Sequence, residues 1–178
     1  MDIGDGLLHR RRQLHRLTAA FSVTMRRSLV PQVMTLPHEY ATTMHITEPP
    51  EAVWAVLADP VGYADWNPEI VAINGRFAPG ERITARVHIG DGVVRSVPMR
   101  VTALQPPVRM EWVGGLPLGL FVGRRVFSVT PRDRGAEFRT ELRMTGLFSP
   151  LIIRSVGNRQ AEIDSFAAAL KQRVEGDR

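Results

Sequence analysis

Cysteine is missing altogether, which excludes disulfides, thiolate metal sites and cysteine nucleophiles. The five histidines form no His-x-x-x-His or similar pair, so neither a zinc site nor any other cofactor is expected. No apolar run approaches the roughly 20 residues that span a bilayer, and the chain is read as a cytoplasmic protein not embedded in a membrane. A nucleophile elbow and a phosphate-binding loop are also lacking, so no motif compels catalysis. Lysine is reduced to Lys171 among 23 basic residues. The formal charge of +5 favours anionic partners. Arginines nevertheless alternate with acids along the candidate strands without an aromatic platform, so nucleic acid is not an expected partner.

What is present fits one domain with an extension, since 178 residues are too few for two comfortable cores. No acidic residue lies between Asp5 and Glu39, whereas His9, Arg10, Arg11, Arg12, His15, Arg16, Arg26 and Arg27 do. Leu14, Leu17, Phe21 and Met25 recur at three and four, which predicts a basic amphipathic helix stopping before Pro31. Residues 1–35 therefore read as a basic extension, helical or poorly ordered, with peripheral membrane contact as one role. A targeting signal fits less well, because LTAAFSV is short, is followed by Arg26 and Arg27, and precedes no Ala-x-Ala-like site.

From Glu39 the pattern changes. YATTMHIT reads as a strand, PPEAVWAVLAD as a helix opened by proline, and Pro60 to Asp65 as a short helix ended by Trp66-Asn67-Pro68. Six further candidate strands follow: IVAINGRF, RITARVHI, RSVPMRVTAL, RMEWV, RRVFSVT and AEFRTELRM, separated by glycine and proline turns. One long helix after Pro150 is expected, with Ile152, Val156, Ile163, Phe166, Ala167, Leu170 and Val174 along its apolar side.

The stretches Ile46-Thr47-Glu48-Pro49-Pro50-Glu51-Ala52-Val53-Trp54, Tyr63-Ala64-Asp65-Trp66-Asn67-Pro68, Gly146-Leu147-Phe148 and Ala168-Ala169-Leu170-Lys171-Gln172-Arg173 resemble the START-related SRPBCC superfamily, in its polyketide cyclase/dehydrase-like branch. The resemblance covers about Tyr40 to Glu175. It implies an α+β helix-grip fold over 36–178, in which a curved antiparallel sheet and the C-terminal helix enclose an apolar cavity. It also implies either a carrier of a lipid, polyketide or isoprenoid or a cofactor-independent cyclase or dehydratase, as monomer or homodimer.

Alternation sorts the strand faces. Ile83, Ala85, Val87 and Ile89 share one face, as do Val97, Met99, Val101 and Ala103, then Met110 and Trp112, then Phe127 and Val129, and finally Phe138, Thr140, Leu142 and Met144. The polar exceptions in phase with them are Arg125 and, continuing the helical stripe from Val156 to Ile163, Arg159 or Gln160. No carboxylate turns inward by this phasing. An inward arginine needs an anion, a carboxylate or water, or else must snorkel out to solvent. Arg125 is the candidate oxyanion stabiliser, with Tyr40 and Thr140 as hydroxyl donors. Val87, Met99, Trp112, Phe127, Leu142, Met144, Val156, Arg159 and Ile163 are candidate ligand contacts, joined by Trp66 and Asn67 of the WNP turn. In the uncharged stretch GGLPLGLFVG, Leu116, Leu120 and Phe121 read as contacts of a mobile lid. A hairpin packed on the helix, or leucines that dip into a membrane, fit the same residues. Gly146-Leu147-Phe148 would form the opposite rim.

Overall fold

The computed structural model describes residues 37–89 and 93–176. The expected basic helix within 1–35 lies outside these residues. The first strand, β1 (His38–Ile46), is followed by α1 (Pro50–Leu57) and α2 (Tyr63–Trp66). Pro49 is extended and Pro50 occupies the first helical turn, where its missing N–H costs nothing. Asn67, forced out of the helical region by Pro68, ends α2 at φ −89°, ψ 124°.

Six strands then run as a meander: β2 (Ile70–Asn74), β3 (Arg82–Ile89), β4 (Val93–Gln105), β5 (Arg109–Leu116), β6 (Phe121–Arg132) and β7 (Gly135–Thr145). Their order in the curved antiparallel sheet is β1-β7-β6-β5-β4-β3-β2, so α1 and α2 bridge its two edges. The chain closes with α3 (Ser149–Val156) and α4 (Gln160–Gly176). α4 lies against β1 and β7 and also meets α1 and α2.

The architecture is the α+β helix grip expected, with two local corrections. The single long helix is broken, because Gly157 takes φ 75° and ends α3, and a new helix starts only at Gln160. In β4, a bulge between Val101 and Ala103 inverts the phase. Leu104, which strict alternation from Val101 and Ala103 would turn to the outer face, therefore packs against the core, while Ala103 pairs with Glu111.

The core is aromatic where the sheet meets α4. Trp112 meets Phe127 edge-on at 4.7 Å, Phe127 lies 5.5 Å from Phe166, and Trp66 meets Phe166 at 5.3 Å. On the outer face Glu111 is buried too, held by Thr102, Arg109 and Arg124.

The far end of α4 is fastened to β1 by one carboxylate. Glu175 accepts from Thr47 N (2.8 Å), Thr47 Oγ1 (2.9 Å) and Lys171 Nζ (2.8 Å), and Lys171 also donates to the His45 carbonyl. These bonds, that of Lys171 foremost, draw Glu175 from 4.5 down to about 2. A depressed carboxylate stabilises the fold above its unfolded pKa and loses that contribution as pH falls through its folded value. Glu175→Gln should therefore melt below wild type at neutral pH, and the two melting curves should converge as pH drops from about 4.5 toward 2. A gap unchanged over that range would show that the carboxylate charge is not what fastens the helix.

Candidate functional site

The strand faces that carry alternating apolar side chains close on a cavity of about 370 Å³. Ala85 and Val87 of β3, Val97 and Met99 of β4, Trp112 of β5, and Leu142 and Met144 of β7 form its sheet side. Ile152 and Val156 of α3 cover it from across. Glycine creates part of the space: Gly114 and Gly123 are register partners on β5 and β6, and both leave the wall bare. The stretch GGLPLGLFVG is thus mainly paired strand, turning through a short 3-10 segment at Pro117–Gly119, and not a free loop.

One end of the cavity is polar. Arg125 projects inward from β6, in phase with Phe127, and its Nε donates to Thr140 Oγ1 at 3.2 Å. Its guanidinium carbon stands 4.6 Å from the centre of the Phe166 ring and 5.3 Å from that of Phe127, an arrangement that favours a cation. Nη2 is shielded from solvent and has no hydrogen-bond partner among the described residues. Burial pulls the group down to about 10, partly countered by the charge of Glu69, so it remains a cation at neutral pH.

Glu69 is the carboxylate that strand phasing did not reveal. It precedes the first residue of β2, so alternation says nothing of its direction. Asn67 decides it: Oδ1 accepts from the backbone N–H of Glu69 (2.9 Å) and Ile70 (2.7 Å), and this turn aims Glu69 at the cavity. A recoverable signal was the acid two residues beyond an asparagine and next to proline, a combination suited to such a turn. Glu69 Oε2 lies 3.9 Å from Arg159 Nη2, and Oε1 is buried without a hydrogen-bond partner among the described residues. Burial raises the pKa of Glu69, and the nearby charge of Glu162 raises it further, against the pull of Arg125 and Arg159. Arg159 also binds Glu162, whose own carboxyl is pushed up chiefly by burial.

The expected contacts divide accordingly. Val87, Met99, Trp112, Leu116, Phe121, Leu142, Met144, Val156, Arg125 and Arg159 line the cavity. Others expected there stand behind the wall. Trp66 packs against Tyr63 and edge-on to Phe166, and Phe127 lies fully buried under Arg125. Tyr40 and Ile163 pack with Met144 in a separate small cluster. Thr140 reaches the site only through Arg125, and Asn67 only through Glu69. Leu120 is half-buried, and its carbonyl accepts from Phe148 N at 2.8 Å. That bond makes Gly146-Leu147-Phe148 part of the same rim as the hairpin, correcting the expected opposite rim. Among the described residues no group of three His, Asp or Glu is placed to hold a metal.

Residues 37–175 match the model of a family described as polyketide cyclase / dehydrase and lipid transport. The chain belongs to that family. Structures of similar fold include an aromatase/cyclase from a Streptomyces species, at TM-score 0.64 and 14% identity, covering 79% of this chain and 94% of that one. A START superfamily protein from Mycobacterium smegmatis superposes at TM-score 0.59 and 19% identity over 78% of this chain and 98% of that one. A protein from Mesorhizobium loti does so at 0.62 and 22% over 79% and 99%. No curated protein matches the sequence. This member of the polyketide cyclase / dehydrase and lipid transport family has the fold of a hydrophobic-ligand binder.

Proposed function

We propose that the chain binds a hydrophobic small molecule of polyketide, lipid or isoprenoid type, with its polar end against Arg125 and Glu69. The supporting observation is an apolar chamber that ends at a half-buried arginine and a buried glutamate, each with a solvent-shielded atom lacking a hydrogen-bond partner among the described residues. Such atoms are costly unless a ligand carbonyl or hydroxyl meets them.

The activity this favours is that of a cyclase or dehydratase. Arg125 Nη2 donates to a carbonyl oxygen and stabilises the negative charge that develops there. Glu69, whose proton is held to higher pH than usual, takes a proton from the carbon beside that carbonyl. In a dehydration the proton then leaves with the hydroxyl as water, and a carbon–carbon double bond forms. Met99, Trp112 and Leu142 fold the chain and exclude water. Thr140 and Asn67 position the two reacting groups.

Carriage without chemistry is the second reading, favoured by the exposed Leu116 at the edge of the cavity. Native mass spectrometry of freshly purified protein, followed by denaturing extraction, separates the two. A cyclised or dehydrated molecule at one per chain is expected for the enzyme, and an unaltered lipid for the carrier. Failure to retain or take up any apolar molecule, including after incubation with fluorescent fatty acid, would count against both.

A further inference from the structure

Five of the nine exposed large apolar side chains among the described residues are Leu116, Leu118, Leu147, Phe148 and Leu151. They belong to two chain segments that meet. The β5–β6 turn contributes Leu116 and Leu118, and the β7–α3 junction contributes the other three. Their backbones touch: Phe148 N donates to the Leu120 carbonyl, and a side chain at Gly146 would come within 2.6 Å of the carbonyls of Gly119 and Leu120. The five side chains therefore form one lip.

That lip borders the opening of the cavity. Leu116 is both exposed and part of the lining, and Phe121 and Ile152, neighbours of the lip in sequence, line the cavity as well. Leu118 is 96% exposed in a left-handed conformation (φ 58°), which is unfavourable for leucine and brings it no contact within the fold. Leu151 is 68% exposed on the outer side of α3, next to the cavity-facing Ile152. Apolar groups presented this way around a mouth mark an interaction surface.

The charge around the lip selects the partner. Residues 112–132 and 142–161, which carry it, contain arginines and no aspartate or glutamate, and Arg154 is exposed on α3 itself. Residues 6–38 repeat this composition, with six arginines and no acid. Arg124, Arg132, Arg143 and Arg159 are paired with carboxylates of neighbouring segments. Arg154, however, is exposed beside Leu151 with no carboxylate partner among the described residues. Leucines next to such a cation suit an anionic lipid surface, where apolar side chains enter the acyl boundary and cations meet headgroups. A second copy of the chain seated here would instead close the mouth and bring Arg154 against its own kind.

We infer that this lip docks on anionic membranes, so that the cavity exchanges its apolar ligand with the bilayer. The inference does not depend on whether the cavity is catalytic. It is tested with full-length protein and vesicles of phosphatidylcholine alone or mixed with phosphatidylglycerol. Sedimentation with the mixed vesicles is expected, weakening with salt. Leu118→Asn combined with Leu151→Ser should lower that partition at least fivefold with an unchanged melting temperature, since both side chains lie in solvent and asparagine tolerates the left-handed turn. Leu118→Trp supplies a reporter at the lip itself, and its fluorescence, read as the difference from wild type, should shift to the blue on mixed vesicles. Undiminished partition of the double variant, an unshifted signal from Leu118→Trp, or absence of wild-type binding would overturn the inference. So would a wild-type dimer that the double variant dissociates, since the lip would then belong to a second copy.

Discussion

Arg125→Met weakens ligand binding by roughly tenfold to a hundredfold and leaves the melting temperature unchanged or slightly raised. The loss follows from removing a charge-assisted hydrogen bond, worth about 1.5 to 3 kcal/mol, from Nη2 to the ligand's polar end. The fold tolerates the change because Arg125 contributes little to it. Among the described residues its one side-chain hydrogen bond is to the Thr140 hydroxyl, and burial of its charge is unfavourable enough to bring its pKa down to about 10. Methionine of similar length can lie on Phe166 and Phe127 without that penalty, and Glu69, whose pKa burial already raises, can take up a proton when the Arg125 charge is lost and so avoid an unpaired buried carboxylate. The measurement is titration of wild type and variant with the molecule retained through purification, or with a fluorescent fatty acid, beside thermal melts. A lower melting temperature with unchanged affinity would make Arg125 a structural residue and remove it from the site. Because Arg125 stays protonated near neutrality, a pH dependence of binding there would belong to the carboxyls of Glu69 and Glu162, both of which burial raises toward that range.

Gly123→Ile should abolish most of the binding while strengthening the fold. Gly123 faces the cavity, its backbone is not in the left-handed region, and a Cβ there would make ordinary contacts, 3.7 Å from the Phe121 ring and 3.9 Å from the Gly114 carbonyl oxygen. Glycine inside a strand loses more backbone freedom on folding and packs nothing, so a β-branched residue should add about 0.5 to 1 kcal/mol of stability. The same side chain occupies ligand space, and forcing ligand past it costs about 1 to 3 kcal/mol, or roughly tenfold and more. Gly114 is the control that should not tolerate the change, since a Cβ there would stand 2.7 Å from the Pro98 carbonyl. Retained affinity in a stable Gly123→Ile protein would show that ligand does not occupy the β5–β6 side of the cavity.

The two variants rest on different kinds of legibility. Arg125 was visible because alternation is rigid: once Met110, Trp112, Phe127 and Val129 were placed on the inner face, an arginine two residues before Phe127 had to share it. The same rule misplaced Leu104, because a bulge after Val101 adds a residue to one strand and leaves no mark in the pattern of apolar residues. It was silent on Glu69, which lies outside any strand and owes its direction to two hydrogen bonds accepted by Asn67. The helix break at Gly157 was hidden for a related reason. Apolar spacing from Ile152 to Val174 survives the interruption, because α3 and α4 both turn apolar faces inward.

By itself, then, the sequence determined the order of elements, the sheet face turned toward α4 and the presence of an arginine on that face, since these follow from periodicities of two and 3.6 along the chain. Only the tertiary structure decided which polar groups converge. Glu69, Arg125, Arg159 and Glu162 come from β6, from the start of α4 and from the turn before β2. It also decided that the leucines of residues 116–118 and 147–151 form one lip, through a backbone contact between segments about 30 residues apart. Local patterns constrain the direction of a side chain relative to its own strand or helix. Meetings between distant residues depend on sheet curvature, register and the exact course of turns, and hydrogen bonds made only in the folded chain set all three.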